Sequence, residues 1–594
     1  MKKLIRSLAF VLVASFVLTA VPCSGTMLIR NFSKTSFSYF CSIPDAGPFI
    51  SNLSYDSITK TGVKVFWQTD VPADSKIKWM VSDSNYQPIL FTDSIYYAAQ
   101  ITNHAIIVTN LKPATIYKYQ IVSQNPGGTA VDSGYFITQS ESTGATQVYF
   151  NTTVDTTVSI GENAKGSQHF ETLLLNRIDS AKYSIDITLW DFDYYTSISN
   201  ALINAKNRGV SVRFVYNHTS NTPLINSLLA NGIPVLKREY DTTFSMHNKF
   251  WIFDYRFNHD SVHKYLWTGS ANVSHAQFHT SRNNVIVIQD EALCAAYTRE
   301  FEEMWGSHTN LPDSANARFG DRKVDNVPHI FNVAGVRMEV YFSPSDSVCA
   351  FLSDLILTKP QQSLYFCMLK FQLPAIENVL HVDFNNGIEI KGVFDSTDSK
   401  LANSAYPRMK GLLVPNTWNP AADVFIDTIP GLVHHKYMII DADFPGGNKI
   451  TSTGSFNWET PANIGNDENS ITIFDARINN LYYQEFIKRY HESGGLLLTN
   501  IQNENKVQFP RLGQNYPNPF DLNTDIDYQV TMPGNVKIVV YDIVGHEVQT
   551  LVNEVLMPGT YKTSFDGSLL QDGVYFYKIY SGDYSEAKRM LLLK

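Results

Sequence analysis

Cysteine is scarce in this 594-residue chain: there are five, and none stand at the short paired spacing that a zinc site requires. Cys23 follows Pro22, a poor context for lipid attachment, while Cys41, Cys294, Cys349 and Cys367 are scattered; Cys367 lies in an apolar run that reads as a buried strand. Charge is also sparse. Asp, Glu, Lys and Arg make up 17% of the residues, low enough to exclude global disorder, and the net charge of -9 argues against a dedicated nucleic-acid binder with a basic face. Long apolar runs are missing beyond the first residues. The stretch Leu8 to Val21, behind Lys2, Lys3 and Arg6, is too short for a mature membrane span and reads as a secretory signal over residues 1–25. What the chain has in quantity is hydrophobic residues (44%) and aromatics (13%), material for several cores and for β-rich domains.

Three regions follow from the patterning. Over residues 48–140, Val63, Val65 and Trp67 alternate, as does Ile116 to Ile121 before the Pro126-Gly127-Gly128 turn, which predicts a small β-sandwich. The middle contains an internal duplication. Val148-Tyr149-Phe150 returns as Val340-Tyr341-Phe342, Ser184-Ile185-Asp186-Ile187 as Ser363-Leu364-Tyr365-Phe366, and Gly209-Val210 as Gly387-Ile388. Apolar strands alternate there with helical runs such as Ile198 to Asn207, so residues 146–310 and 336–498 are expected to be two copies of a mixed α/β sheet flanked by helices, joined by a linker from Asn310 to Ala334. Residues 514–594 return to alternating strands with Gly turns, a second β-sandwich. The fold class is therefore multidomain: β-sandwich, duplicated α/β, β-sandwich.

The duplication carries chemistry. His247-x-Lys249-x4-Asp254 recurs as His434-x-Lys436-x4-Asp441, and each copy leads to a Gly-Ser-x-Asn: Gly269-Ser270-Ala271-Asn272 and Gly454-Ser455-Phe456-Asn457. On a strand, His and Lys two apart share a face. Two imidazoles and two ammonium groups meeting at one place supply a nucleophile, an acid and base, and positive charge for a phosphodiester, so no metal or other cofactor is called for. Asp254 and Asp441 read as buried structural carboxylates at the strand ends. His435, next to His434, would face away from the site.

The arrangement resembles the phospholipase D superfamily. That resemblance implies one site on a pseudo-twofold axis, with Lys249, Lys436, Asn272 and Asn457 around the phosphate and Ser270 and Ser455 adding hydroxyl donors. It implies His247 as nucleophile through a phosphohistidine and His434 as acid and base. It also implies a carboxylate that holds each histidine in its working tautomer: Glu468 fits that place in the second half, whereas the first half has Asn283. The Trp67 strand and the segment Leu111-x-Pro113-x-Thr115-x-Tyr117 resemble a fibronectin type III domain, read as a spacer or binding module. The series from Asn515-Tyr516-Pro517 to the final Lys588-Arg589-Met590 resembles a type IX secretion sorting domain, which implies the export machinery as a partner and a secreted or cell-surface destination.

Substrate class rests on the surroundings. Tyr194, Tyr195, Trp251 and the run Phe366 to Leu373 favour a phospholipid at a membrane surface, cleaved by a monomeric catalytic unit; Trp190 to Tyr195 is a candidate for the substrate mouth. The alternatives are an extracellular metal-independent endonuclease acting on nucleic acid, and an inactive surface adhesin.

Overall fold

The structure, a computed structural model, describes residues 27–29, 39–41, 47–82, 90–218, 222–238, 243–258, 260–413, 418–496, 511–530, 533–543, 545–557, 559–582 and 584–593. The signal region expected over residues 1–25 lies outside the described residues. Among the described residues no helix is long and apolar enough to cross a membrane, and Cys294, Cys349 and Cys367 are buried free thiols.

The N-terminal unit departs from a sandwich of two separately bonded sheets. Its strands Ile50–Asp56, Val63–Val81, Asp93–Val108, Ile116–Asn125 and Gly128–Ile137 form one hydrogen-bonded set. The cause is Val63–Val81, 19 residues long with a register shift between Gln68 and Ala73. Before the shift it runs beside Ile50–Asp56; after it, beside Ile116–Asn125, as a bulge allows a strand to change neighbours. Trp67, Leu111 and Tyr117 are all buried, and the Trp67 indole donates to Ser123 Oγ at 2.9 Å.

The duplication is visible strand for strand. The first half is a seven-stranded sheet in the order Val235–Lys237, Ser211–His218, Ser184–Asp191, Lys249–Phe253, Tyr265–Gly269, Asn284–Gln289, Thr146–Phe150. The second repeats that order as Asp423–Ile426, Glu389–Phe394, Ser363–Met368, Lys436–Ile440, Ile450–Gly454, Glu468–Phe474, Val336–Ser343, and adds Ile330–Val333 at the edge. Both sheets are mixed, parallel where helices make the crossovers and antiparallel from the His-x-Lys strand onward. The expected linker is therefore only in part a linker: Ile330–Val333 is an edge strand, and Lys323 is buried against Glu300 and Asp467.

Each half ends in a long helix, Glu291–Trp305 and Ala476–Glu492, started by an Asp cap: Asp290 accepts from Leu293 N and Asp475 from Ile478 N, both at 2.8 Å. These helices carry Tyr297 and Tyr482 into the contact between halves. Asn284 donates to Thr453 Oγ1 (2.9 Å) and Tyr482 OH (2.8 Å); its counterpart Asn469 donates to Thr268 Oγ1 (2.8 Å) and Tyr297 OH (3.3 Å).

The C-terminal region holds a three-stranded and a four-stranded antiparallel sheet around a core that includes Ile526, Val536, Ile538, Phe565, Tyr577 and Met590. Asn515 of the opening motif is fixed there, its N–H donating to Tyr577 OH at 2.8 Å.

Gly269 and Gly454 end paired strands at φ 150° and 142°, and a Cβ there would meet the carbonyl oxygen of Asn284 at 2.3 Å or of Asn469 at 2.2 Å. Gly454→Ala is expected to destabilise the central region by about 2–3 kcal/mol, read from urea melts, because it forces apart the strands that carry Asn457 and Glu468.

Candidate active site

The strands Lys249–Phe253 and Lys436–Ile440 are β-prone and alternate: Trp251 and Phe253, like Met438 and Ile440, enter the helix-covered cores, while Phe250 packs on Tyr297 of the long helix. Each is anchored by the aspartate of its motif. Asp254 accepts backbone N–H bonds from Lys182, Tyr183 and Ser184, and Asp441 from Gln361, Gln362, Ser363 and Asn448.

The two histidines are brought together by reciprocal backbone pairing across the halves. His247 N donates to Asp467 O at 2.8 Å and His434 N to Arg282 O at 3.0 Å. Next to those partners stand the residues that hold the rings. His247 Nδ1 meets Glu468 Oε2 at 2.7 Å, and His434 Nδ1 meets Asn283 Oδ1 at 2.9 Å. This corrects the sequence expectation, which put Glu468 with the histidine of its own half: each histidine is oriented by the opposite half. The reason is topological. Glu468 opens the strand Glu468–Phe474 directly after the Met246–Asp467 bridge, so it emerges beside His247.

Ser270 and Ser455 are corrected as well. Both are fully buried, and their hydroxyls donate to Asn283 Oδ1 (2.8 Å) and Glu468 Oε2 (2.6 Å) while accepting from Asn284 N and Asn469 N. Their donors are spent on the groups that hold the histidines and not on a phosphate. Lys249 and Lys436 each bond the carbonyl of the histidine two residues earlier at 2.7 Å. Asn272 Oδ1 accepts from Asp191 N (3.2 Å); Asn457 donates to Glu459 Oε1 (3.0 Å), and its buried Oδ1 has no partner.

His435 does face away, buried between Asn284 Oδ1 (3.1 Å) and Glu485 Oε1 (3.0 Å). The aromatic surroundings differ from expectation. Trp251 and Phe366 are buried core because strand alternation turns them inward, and Tyr195 and Leu373, at helix starts, and Phe371, in the loop ahead of Leu373, are buried in the same cores, so they offer no apolar face to a substrate. Trp190 meets the His247 ring edge-on at 5.9 Å between centroids, and Tyr194 is exposed beside His275.

Electrostatically the site is crowded with basic groups that are largely withdrawn from solvent. Burial lowers His247 to about 4, with the Lys249 charge adding to the effect and Glu468 opposing it. Burial, then the charges of Lys436, Lys249 and His247, hold His434 well below its ordinary value. Lys249 is lowered by burial to about 7, and Lys436 is lowered by burial and by Lys249. Glu468 stays below the usual carboxylate range: burial raises it, and His247 and Lys249 more than reverse that. Among the described residues one group has the spacing of metal ligands, Asp325, His329 and Asp346, and it includes none of these residues. There, against the lowering effect of burial, the two carboxylates raise His329 to about 9.

Residues 174–305 and 355–490 match the family described as cardiolipin synthase, PLD-like domain, and residues 514–593 match the secretion system C-terminal sorting domain. This chain therefore carries two phospholipase D-like domains followed by a type IX sorting domain, which directs export across the outer membrane. Its relatives in the superfamily are phosphodiesterases. A phospholipase D of Rickettsia bellii is 26% identical over 166 residues, 28% of this chain and 75% of that protein. A mitochondrial cardiolipin hydrolase of Xenopus tropicalis is 25% identical over 138 residues, 23% of this chain and 59% of its own length. The solved Nuc from Salmonella typhimurium, a phospholipase D family member, is 26% identical, covers 27% of this chain and 93% of that one, and has a TM-score of 0.21.

An oxyanion entering this cluster supplies the negative charge it lacks and raises the affinity of Lys249 and the histidines for protons. Inorganic phosphate is expected to bind with net proton uptake, seen as a binding enthalpy that varies with the ionisation enthalpy of the buffer, and to bind more weakly as pH rises past about 7. Binding without proton exchange would mean the empty site is already fully charged.

Proposed function

We propose that the two halves form one phosphodiesterase site that cleaves a phospholipid phosphodiester through a phosphohistidine, in a protein acting outside the cell. The observation that carries this reading is the convergence of both His-x-Lys pairs with crossed Nδ1 bonds at 2.7 and 2.9 Å. A hydrogen bond at Nδ1 fixes the tautomer whose free Nε2 lone pair can attack phosphorus.

In this mechanism His247 Nε2 attacks and displaces the alcohol oxygen, which takes its proton from His434. His434 then removes a proton from water, whose oxygen attacks phosphorus and releases His247. Lys249, Lys436, Asn272 and Asn457 stabilise the added negative charge of each five-coordinate transition state. Glu468 supports the positive imidazole of the His247 adduct, which is why a carboxylate suits that position. The relatives named for phospholipase D and cardiolipin hydrolase support a lipid substrate, and the net charge of -9 speaks against nucleic acid. The type IX sorting domain supports work at the cell surface or beyond it.

Purified protein incubated with mixed phospholipid vesicles in EDTA is expected to release phosphatidic acid at an undiminished rate. His247→Ala and His434→Ala should each lower turnover by at least ~10³-fold. Phosphatidic acid formed equally by both variants would sink the assignment, and nicked plasmid with intact lipid would move the protein to the nucleases. Glu468→Gln removes the group that raises His247, so the acid limb of the pH–rate profile should move to lower pH while the rate falls about 10-fold or more.

A further inference from the structure

A cleft of about 940 Å³ opens in the second half, walled by the helices Pro374–Asn385 and Ala405–Met409 and by Thr460 and Pro461. Its volume suits a small organic group, and the reaction described above makes no use of it.

The cleft shares its framework with the phosphate seat. Gln372 on its wall donates its N–H to Trp458 O at 2.6 Å, and Phe371 bridges Trp458, the residue that follows Asn457. Glu459 accepts from Asn457 at 3.0 Å and pairs with Lys370 at 3.4 Å, and Thr460 is the next residue. The turns that hold Asn457 in the site therefore continue directly into the cleft wall.

Its chemistry selects against charge. The cation on the wall, Arg408, is consumed: its Nε and Nη2 bind the two oxygens of Glu377 at 2.7 and 2.5 Å, and Nη1 binds Ala402 O at 2.9 Å. Among the described residues, the side-chain amides of Gln372, Asn378 and Asn403 and the Thr460 hydroxyl make no protein hydrogen bond. His381 lies flat on Trp418, with centroids 4.7 Å apart and planes at 18°. A flat ring ringed by neutral donors and acceptors matches the C–H face and hydroxyl edge of a polyol or sugar. An acyl chain would leave those polar groups unpaired, and a nucleic-acid backbone would find no free cation.

We propose that this cleft seats the alcohol side of the substrate, a neutral, hydroxyl-rich group esterified to the phosphate; the proposal rests on the phosphodiesterase reading above. The test uses the full chain with three probes. Vesicles of phosphatidylinositol and of phosphatidylcholine compare a polyol with a cationic headgroup, and bis(p-nitrophenyl) phosphate reports the chemistry independently of headgroup. The expected result is a preference of about 10-fold in kcat/KM for phosphatidylinositol, lowered about 5-fold by Asn378→Ala and by His381→Ala, mainly through KM. Should either variant melt abnormally, Asn403→Ala on the facing wall replaces it. No preference in the wild type, or a preference untouched in well-folded variants, overturns the inference. So does faster cleavage of a dinucleotide, which would make the cleft a base site. A wild type inert even on bis(p-nitrophenyl) phosphate overturns the phosphodiesterase reading itself, and this inference with it.

Discussion

Everything at this site depends on two hydrogen bonds that cross between the repeats, Glu468 to His247 and Asn283 to His434. Neither half can orient its own histidine. The halves must therefore be locked in one relative position, and the structure locks them with buried polar pairs set beside aromatic contacts, Phe150 on Tyr482 and Phe342 on Tyr297. Asn284 and Asn469 each reach a threonine and a tyrosine of the opposite half, and the backbone bonds from His247 and His434 set the depth of insertion. Buried polar bonds are directional and costly to leave unmade, so a small slip would strand several donors at once. Such an interface buys register more than bulk stability.

The same locking creates the electrostatic tension of the site. Lys249, Lys436 and His434 are buried and His247 half-buried around one space, and the carboxylate bonded among them, Glu468, is a single charge. Burial makes each cation expensive and mutual repulsion adds to the cost, which is why Lys249 is lowered to about 7. A phosphodiester entering this space relieves the imbalance, and the five-coordinate transition state, with more negative charge, relieves it further. An empty site that tolerates its charges poorly stabilises the transition state more than it stabilises itself.

Legibility in the sequence followed locality. The strands, the duplication and the two motifs were readable because β-alternation and repeat spacing are properties of short stretches: Lys249 to Phe253 and Lys436 to Ile440 alternate as they must. Which residue meets which histidine was not readable, since position along the chain suggests Glu468 for its own half and only the bridge between Met246 and Asp467 reverses that. Ser270 and Ser455 misled for a related reason. A hydroxyl beside a phosphate-binding asparagine reads as a ligand donor, but the turn required by Gly269 and Gly454 aims it inward at Asn283 and Glu468. Aromatic residues suggested a lipid face, yet on strands buried from both sides they are core, as Trp251 and Phe366 are. The cleft had no sequence signal, because Gln372, Asn403 and Thr460 come from segments with no common period.

The difference between Glu468 and Asn283 is the clearest break in the pseudo-symmetry, and its direction has mechanistic content. Both accept from a serine hydroxyl and both hold an Nδ1, so geometry is kept while charge is not. A carboxylate stabilises an imidazole that must carry positive charge for the lifetime of an intermediate, as a phosphohistidine does. An amide orients a ring without holding it protonated, which suits a group that must give up its proton and then take one back from water. On that ground the proposed mechanism gives the nucleophile to His247 and the proton carrier to His434. The cost of the amide is a weak hold on the proton that the leaving alcohol needs, and Lys436, 3.4 Å from His434 Nδ1, weakens that hold further. In the proposed mechanism the negative charge of the bound phosphate therefore does at His434 what Glu468 does at His247, so that the acid is armed only once substrate is in place.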